Sequence, residues 1–254
     1  METFQYVSDL HIDKNKRESF MIKLNPKNID KNLIIAGDIC KLNTGTVGKY
    51  YYPLFNDLCS KFANVFYVPG NHEYYSEGAS SEGVFTETKK ALAKLDTLYS
   101  NLHILDCDVY MTKKGTVLIG CTLWSYIPTH LLKLLESTKI KGFNNKTRNR
   151  LFFKELKWLI DHITSAKSTP VQRTPSKKIV VITHHSPSFK YISEKYKGDV
   201  SNYNYASNLE YLGPLVDRWI FGHTHFKVSR GKYLSNPLGL RDENINFNDA
   251  YFTV

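Results

Sequence analysis

Residues suited to hold a cation or to move a proton recur in five short blocks: S-D-L-H with Asp9 and His11, A-G-D-I with Asp38, P-G-N-H-E with Asn71 and His72, T-H-H with His184 and His185, and G-H-T-H with His223 and His225. A single histidine of this kind is usually structural. Here, however, six of the nine histidines of the chain fall in the five blocks, each time beside a carboxylate, an amide or another imidazole. The other three, His103, His130 and His162, have no such company and read as structural or exposed. Imidazole, carboxylate and amide oxygen without a cysteine suit zinc, manganese or iron rather than copper or an iron–sulfur cluster. In D-L-H, positions i and i+2 of an extended segment point to one side, so Asp9 and His11 can reach the same ion. The same holds for His223 and His225, unless a loop turns them toward two different ions. Gly37, Gly70 and Gly222 permit sharp turns and close backbone approach beside these groups.

Each block follows or ends a short apolar run. FQYVSD, NLIIAGD, NVFYVPGN, TVLIGCT, KIVVITHH and RWIFGHT read as buried strands whose last residues emerge at the C-terminal end. Functional groups of α/β proteins gather at that edge. Helical patterns lie between the runs, over 50–62, 85–100, 149–166 and 208–216, the third with Leu151, Phe152, Leu156, Leu159, Ile160 and Ile163 on its apolar stripe. Strands alternating with helices give an α/β fold class. Toward the C-terminus FKVSR, YLSN and AYFTV follow with no helix between them. This suggests a mixed sheet, or two sheets packed face to face with helices outside. No internal repeat is present, and residues 1–254 read as a single domain. Residues 165–178, rich in Ser, Thr, Pro and Lys, form a surface loop or a boundary between halves, and 124–150 read as a cap insertion that rims the active site.

The bulk composition agrees with this and narrows it further. With 254 residues, 42% hydrophobic and 13% aromatic, the chain can bury one large core. A net charge of +10 with lysines spread along the chain suits an anionic substrate without singling out nucleic acid. Cys40, Cys59, Cys107 and Cys121 match neither a disulfide framework nor a zinc knuckle, so free thiols in a reducing compartment are expected. No run approaches the roughly 18 apolar residues of a membrane span, and the first residues lack a basic segment followed by an apolar one. A soluble, cytoplasmic protein with no membrane partner is expected.

In this order the five blocks resemble the calcineurin-like metallophosphoesterase superfamily, whose pattern is D-x-H, G-D, G-N-H-[DE], a single H, and G-H-x-H. The match runs from residue 8 to residue 225. The resemblance implies a four-layer α/β/β/α sandwich of two mixed β-sheets flanked by helices. It implies two divalent metal ions (manganese, iron or zinc), with Asp9, His11 and His225 on the first, Asn71, His184 and His223 on the second, and Asp38 bridging. His72 would act on the scissile phosphate as the catalytic residue, the alternative being a support to the ligands, and Glu73 would be structural. His184 aligns with the single H, which leaves His185 to contact substrate or to support a ligand; the opposite assignment of the pair stays open. Two such ions, ~3.5–4 Å apart, lower the pKa of a bridging water toward ~7 and clamp the attacking and leaving oxygens. The nucleophile is then hydroxide, and no phosphoenzyme forms.

Protein serine/threonine phosphatases carry G-D-x-x-D-R, whereas G-D-I-C-K-L stands here with Lys41 and Leu42 in the last two places. That departs from their branch. VPGNHEYY, GCTLWS, THHSPS, WIFGHTH and SNPLG resemble small stand-alone members instead. The expected function is hydrolysis of a phosphate monoester or diester. A narrower alternative is a nuclease or cyclic-nucleotide phosphodiesterase, with nucleic acid or a nucleotide as partner, drawing on the positive charge and on the tyrosines of 186–207. An inactive metal-binding scaffold is the remaining reading, though it would not need His72.

Overall fold

The computed structural model describes residues 1–254 apart from 16–23, 28, 76–80, 133–138, 141, 169–176, 241–242 and 245–246. The apolar runs become strands: β1 (Thr3–Val7), β2 (Asn32–Ala36), β3 (Asn64–Val68), β4 (Leu102–Ile104), β5 (Asp108–Met111), β6 (Thr116–Cys121), β7 (Lys178–Thr183), β8 (Arg218–Ile220), β9 (Val228–Arg230), β10 (Tyr233–Ser235) and β11 (Tyr251–Thr253). One sheet has the order β11-β1-β2-β3-β4 and the other β5-β6-β7-β8-β10-β9. Within the first, β1 to β4 run parallel and β11 pairs antiparallel with β1. Within the second, β6, β7, β8 and β10 are parallel, with β5 and β9 antiparallel at the edges. Every residue of β2 and of β6 is buried, as expected of strands covered on both faces.

Three helices cover the outer faces: α1 (Tyr52–Lys61), α2 (Ser81–Leu98) and α3 (Asn145–Ser168). Leu54, Phe55, Leu58, Leu92 and Leu95 pack with Leu33, Ile35, Val65 and Tyr67 outside the first sheet. Phe152, Leu159 and Ile163 pack with Ile119, Val181 and Trp219 outside the second. Between the sheets lie Phe4, Ile34 and Phe66 from one side and Leu118, Val180 and Ile220 from the other. Fully burying one such side chain is worth about 1.5–3 kcal/mol. This is the four-layer α/β/β/α sandwich.

The structure shifts several local expectations. A turn at Thr44–Thr46, capped by the Asn43 side chain, and a π-helical turn at Val47–Tyr51 lead into α1, with Pro53 in its first turn, where a missing N–H costs little. Residues 208–216 do not form the expected α-helix. A 3₁₀ segment spans Glu210–Leu215, and Pro214 within it has no N–H with which to continue a helical ladder. β4 and β5 carried no signal in the sequence, being three and four residues long, with β5 largely exposed. β11 leaves its sequence neighbours and joins the first sheet, so the chain ends beside its start. Of 165–178, α3 takes residues up to Ser168 and 169–176 lie outside the described residues; in 124–150 the same is true of 133–138 and 141. All four cysteines are free, Cys40 and Cys121 buried. Among the described residues no helix is long and apolar enough to cross a membrane.

Candidate metal centre

Parallel pairing brings the C-terminal ends of β1, β2, β3, β7 and β8 to one edge, and each of the five blocks starts there. The two sheets are stitched together at that edge by Ser8 N–H donating to Asn236 O (3.1 Å) and Leu238 N–H to Ser8 O (3.0 Å), while within the second sheet Gly222 N–H donates to His184 O (2.9 Å).

The extended D-L-H expected from the sequence is not what forms. β1 stops at Val7, and Asp9 (φ 52°), His11 (φ 40°), Asp38 (φ 57°), His223 (φ 67°) and His225 (φ 49°) all adopt left-handed backbone conformations. Each costs about 1–2 kcal/mol for a residue with a Cβ. Such strain persists where surrounding contacts over-determine it, and it clusters at functional sites. The contacts are explicit here. Asp9 N–H donates to Gly37 O (3.0 Å), His11 N–H to Asp38 O (3.1 Å) and Gly239 N–H to Asp9 O (2.9 Å). Glu73, fully buried, accepts from Asp38 N–H (3.2 Å), Ile39 N–H (2.7 Å) and Gly70 N–H (2.7 Å), tying the loop after β2 to the loop after β3. A Cβ at Gly70 would lie 2.2 Å from Asp38 Oδ1, and one at Gly37 2.2 Å from His184 Nδ1.

The side chains meet in three overlapping groups: Asp9, His11 and His225; His11, Asp38 and His72; Asp38, His184 and His223. His225 Nε2 is 3.1 Å from His11 Nε2 and 3.5 Å from Asp9 Oδ1. His184 Nε2 is 2.9 Å from Asn71 Oδ1, 3.2 Å from His223 Nδ1 and 3.2 Å from Asp38 Oδ1. Asp38 reaches the other way as well, with Oδ2 4.0 Å from His11 Nε2 and 3.8 Å from His72 Nε2. The G-H-T-H loop therefore sends His223 and His225 to different groups.

Three of the imidazoles are anchored through their outer nitrogen. His184 Nδ1–H donates to Ala36 O (2.9 Å), His225 Nδ1–H to Glu243 Oε2 (2.5 Å) and His223 Nε2–H to Asn204 O (3.2 Å). Their inner nitrogens then present lone pairs. Asn71 is oriented by its Nδ2–H donating to the Tyr75 hydroxyl (2.7 Å), which turns Oδ1 inward. Around His184 Nε2 stand three further acceptors, Asn71 Oδ1, Asp38 Oδ1 and His223 Nδ1. A single proton can serve one of them at a time, whereas a cation can serve all. The donor set thus fits divalent metal ions of the zinc, manganese or iron type.

The titration behaviour has the same origin. Burial opposes ionisation of Asp38, but His184, His72 and His11 around it hold its carboxyl well below the usual range. Asp9 is raised, by burial first, with His225 and His184 offsetting part of the shift. Burial lowers His11 to about 3 and also lowers His72, His185 and His223, which keeps these rings neutral and able to accept. His184 departs from the rest: burial works against its charge, yet Asp38 lifts it to about 9. A proton there occupies the place a metal ion would take. Glu73 is pushed up to about 7 by burial and then by Asp38.

His72 stands at the margin of the cluster, 17% exposed, its backbone N–H donating to Asp38 Oδ1 (2.9 Å) and its ring 4.2 Å from that of Tyr75. His185 is buried outside the three groups, its ring 4.2 Å from His223 and 5.6 Å from Trp124, with Nδ1 3.4 Å from Thr122 O. Glu243, Asn204 and Tyr75, which hold His225, His223 and Asn71, escaped the sequence reading. Tyr75 sits four residues after Asn71 and could have been suspected; Asn204 and Glu243 are 19 and 18 residues from their histidines, and no spacing rule reaches that far.

Comparison with known proteins gives a consistent picture. The family model described as calcineurin-like phosphoesterase matches residues 4–227. An uncharacterized protein of Acanthamoeba polyphaga mimivirus is 24% identical over 288 residues, covering 100% of this chain and 97% of that protein. Among solved structures, phosphopantetheinyl hydrolase from Mycobacterium tuberculosis superposes with a TM-score of 0.68 at 14% identity, over 98% of this chain and 95% of its own. A Thermus thermophilus protein does so with a TM-score of 0.54 at 12% identity, over 92% and 88%. The two solved structures share the fold.

Proposed function

The chain belongs to the calcineurin-like phosphoesterase family of metal-dependent phosphoester hydrolases, and from that premise we propose that it cleaves a phosphate monoester or diester at a dinuclear centre. Asp9, His11 and His225 would hold one divalent ion, Asn71, His184 and His223 the other, with Asp38 shared between them. The observation that carries this reading is the position of Asp38, whose two carboxylate oxygens lie toward His184 on one side and His11 on the other.

A pair of divalent cations supplies a water-derived nucleophile at neutral pH and positive charge for the attacking and leaving oxygens. The chain's own groups do the rest. Asp38 and the anchored imidazoles hold their lone pairs in place before substrate arrives, so little reorganisation accompanies the reaction. His72, beside Asp38 and partly open to solvent, donates a proton or hydrogen bond to the leaving-group oxygen. Neutral His185, packed against His223, supports the second site or contacts substrate. The apolar layer shared by both sheets favours one domain over 1–254, and the nearness of Trp124, Lys139 and Arg148 to His185, Tyr75 and Asn204 supports a cap role for the described part of 124–150. Four free thiols suit a reducing, cytoplasmic setting.

Purified protein stripped of metal and reloaded with manganese should hydrolyse p-nitrophenyl phosphate or its bis ester. Binding of manganese without turnover of these or of a nucleotide panel would sink the proposal. The net charge of +10 favours testing polynucleotides too. A nuclease would bind DNA or RNA with a steep salt dependence, and weak, salt-insensitive binding removes that version.

A further inference from the structure

Arg148, in the first turn of α3, is a buried cation with no carboxylate partner among the described residues. It is 6% exposed, and Nη1–H donates to Asn204 Oδ1 (2.5 Å). The backbone oxygen of the same Asn204 accepts from His223 Nε2–H (3.2 Å) and from the Ser125 hydroxyl (2.8 Å), so Arg148 is one residue removed from the metal cluster. Its Nε–H is buried and has no hydrogen-bond partner among the described residues. Burial lowers it only to about 10, which leaves it cationic, and the groups that favour its charge are the phenols of Tyr75 and Tyr205 rather than a carboxylate.

Buried charges are ordinarily paired, because an uncompensated one carries a desolvation cost of several kcal/mol. A guanidinium has five N–H donors in a planar fork matched to carboxylate and phosphate. The two tyrosines beside Arg148 line both flanks of the cluster. The Tyr75 hydroxyl accepts from Asn71 and its ring lies 4.2 Å from His72, while the Tyr205 ring lies 4.9 Å from His223. Lys139 adds a second cation, its Nζ 5.6 Å from the Tyr75 ring centroid. The Tyr75 hydroxyl hydrogen, not used in accepting from Asn71, has no acceptor among the described residues and can meet an incoming one.

Resting on the phosphoesterase reading above, we propose that Arg148 binds the anionic oxygens of the substrate's phosphoryl group, with the Tyr75 hydroxyl as second donor, so that bound substrate supplies the counter-charge that its described neighbours lack. Arg148 is then a substrate-binding residue rather than a support for Asn204.

Orthophosphate binding to the manganese-loaded protein, followed by titration calorimetry, tests this without requiring turnover. Inactivity of the wild type toward phosphoesters would sink the hydrolase reading while leaving this comparison interpretable. Arg148→Gln should weaken orthophosphate about 10- to 100-fold, the loss expected for a charge-assisted, bidentate contact. Arg148→Lys keeps the charge but not the fork, and should weaken it roughly five-fold with manganese content and melting midpoint unchanged. If Arg148→Gln does not fold, Arg148→Lys decides alone. Wild-type orthophosphate affinity in a folded variant, or loss of manganese from Arg148→Lys, overturns the proposal; the second result would assign Arg148 to holding Asn204 and His223.

Discussion

Asp38 and His184 meet at 3.2 Å, Oδ1 to Nε2, although they belong to different sheets and are 146 positions apart in the chain. The contact is possible because β2 and β7 end at the same edge of the sandwich and because His184 is fastened through Nδ1 to Ala36, two residues before Asp38. Since the other oxygen of Asp38 faces His11, one substitution there reports on both halves of the cluster. Asp38→Asn should lower metal occupancy at both sites, read by elemental analysis of the purified variant. Retention of either ion at wild-type occupancy would show that Asp38 is not shared.

His72→Ala is expected to behave oppositely. The ring touches Asp38 only at 3.8 Å and is partly exposed, so both metals should stay while kcat falls about 10²–10⁴-fold, the range for losing a general acid. Loss of a metal ion from this variant would make His72 a ligand.

Glu243 holds the outer nitrogen of His225 at 2.5 Å and touches no other histidine of the cluster among the described residues. Partners of this kind fix the ring and its tautomer, and removing them costs about 10–100-fold in metal affinity. Glu243→Ala should therefore weaken one of the two ions in a competition titration. Equal weakening of both would contradict the division of His223 and His225 between two groups.

At Gly70 the constraint is space. A methyl group there would meet Asp38 Oδ1 at 2.2 Å and the Asp38 backbone nitrogen at 2.6 Å, and backbone cannot rotate away as a flexible side chain can. Gly70→Ala should destabilise by about 1–3 kcal/mol, typical of overpacking, and reduce metal content as well. A variant with wild-type melting and full metal would remove Gly70 from the design of the site.

Glu155 provides a pH dependence away from the metal cluster. It is buried on α3, accepts from Leu123 N–H at 2.6 Å where Leu123 adopts a left-handed φ of 52°, and burial followed by Asp106 raises its pKa from 4.5 to about 8. In the unfolded chain it ionises near 4.5, so between that pH and about 8 the folded state retains a proton that the unfolded state has released. Stability from this group is complete below pH ~4.5 and declines as pH rises toward ~8, by on the order of a few kcal/mol. Urea unfolding from pH 5 to 9 should show the decline, and Glu155→Gln should flatten it. An unchanged slope in the variant would mean that the carboxyl is not the source.

Much of the fold was readable because the signals are local. Six apolar runs, each short and uninterrupted, correspond to β1, β2, β3, β6, β7 and β8, since buried parallel strands need continuous apolar character. The edge strands β4 and β5 were not readable: a three- or four-residue strand that is not fully buried has no pattern to distinguish it from a loop. The segment ending in Pro214 looked helical from its apolar spacing, and the proline's missing donor decided otherwise. Likewise the D-L-H spacing suggested a pleat, whereas both residues take left-handed backbone held by cross-loop hydrogen bonds that no local pattern encodes.

By itself, then, the order of residues determined the donor set: which side chains could carry lone pairs to a common place, and that each of them follows the end of a strand. Tertiary structure decided how those side chains are grouped. It separated His223 from His225, set His184 rather than His185 against Asp38, and supplied Glu243, Asn204, Tyr75 and Arg148 from loops and a helix remote in the chain. The physical reason is that lone-pair chemistry belongs to residue type and is legible one residue at a time. Direction, burial and counter-charge belong to whatever the folded chain places alongside.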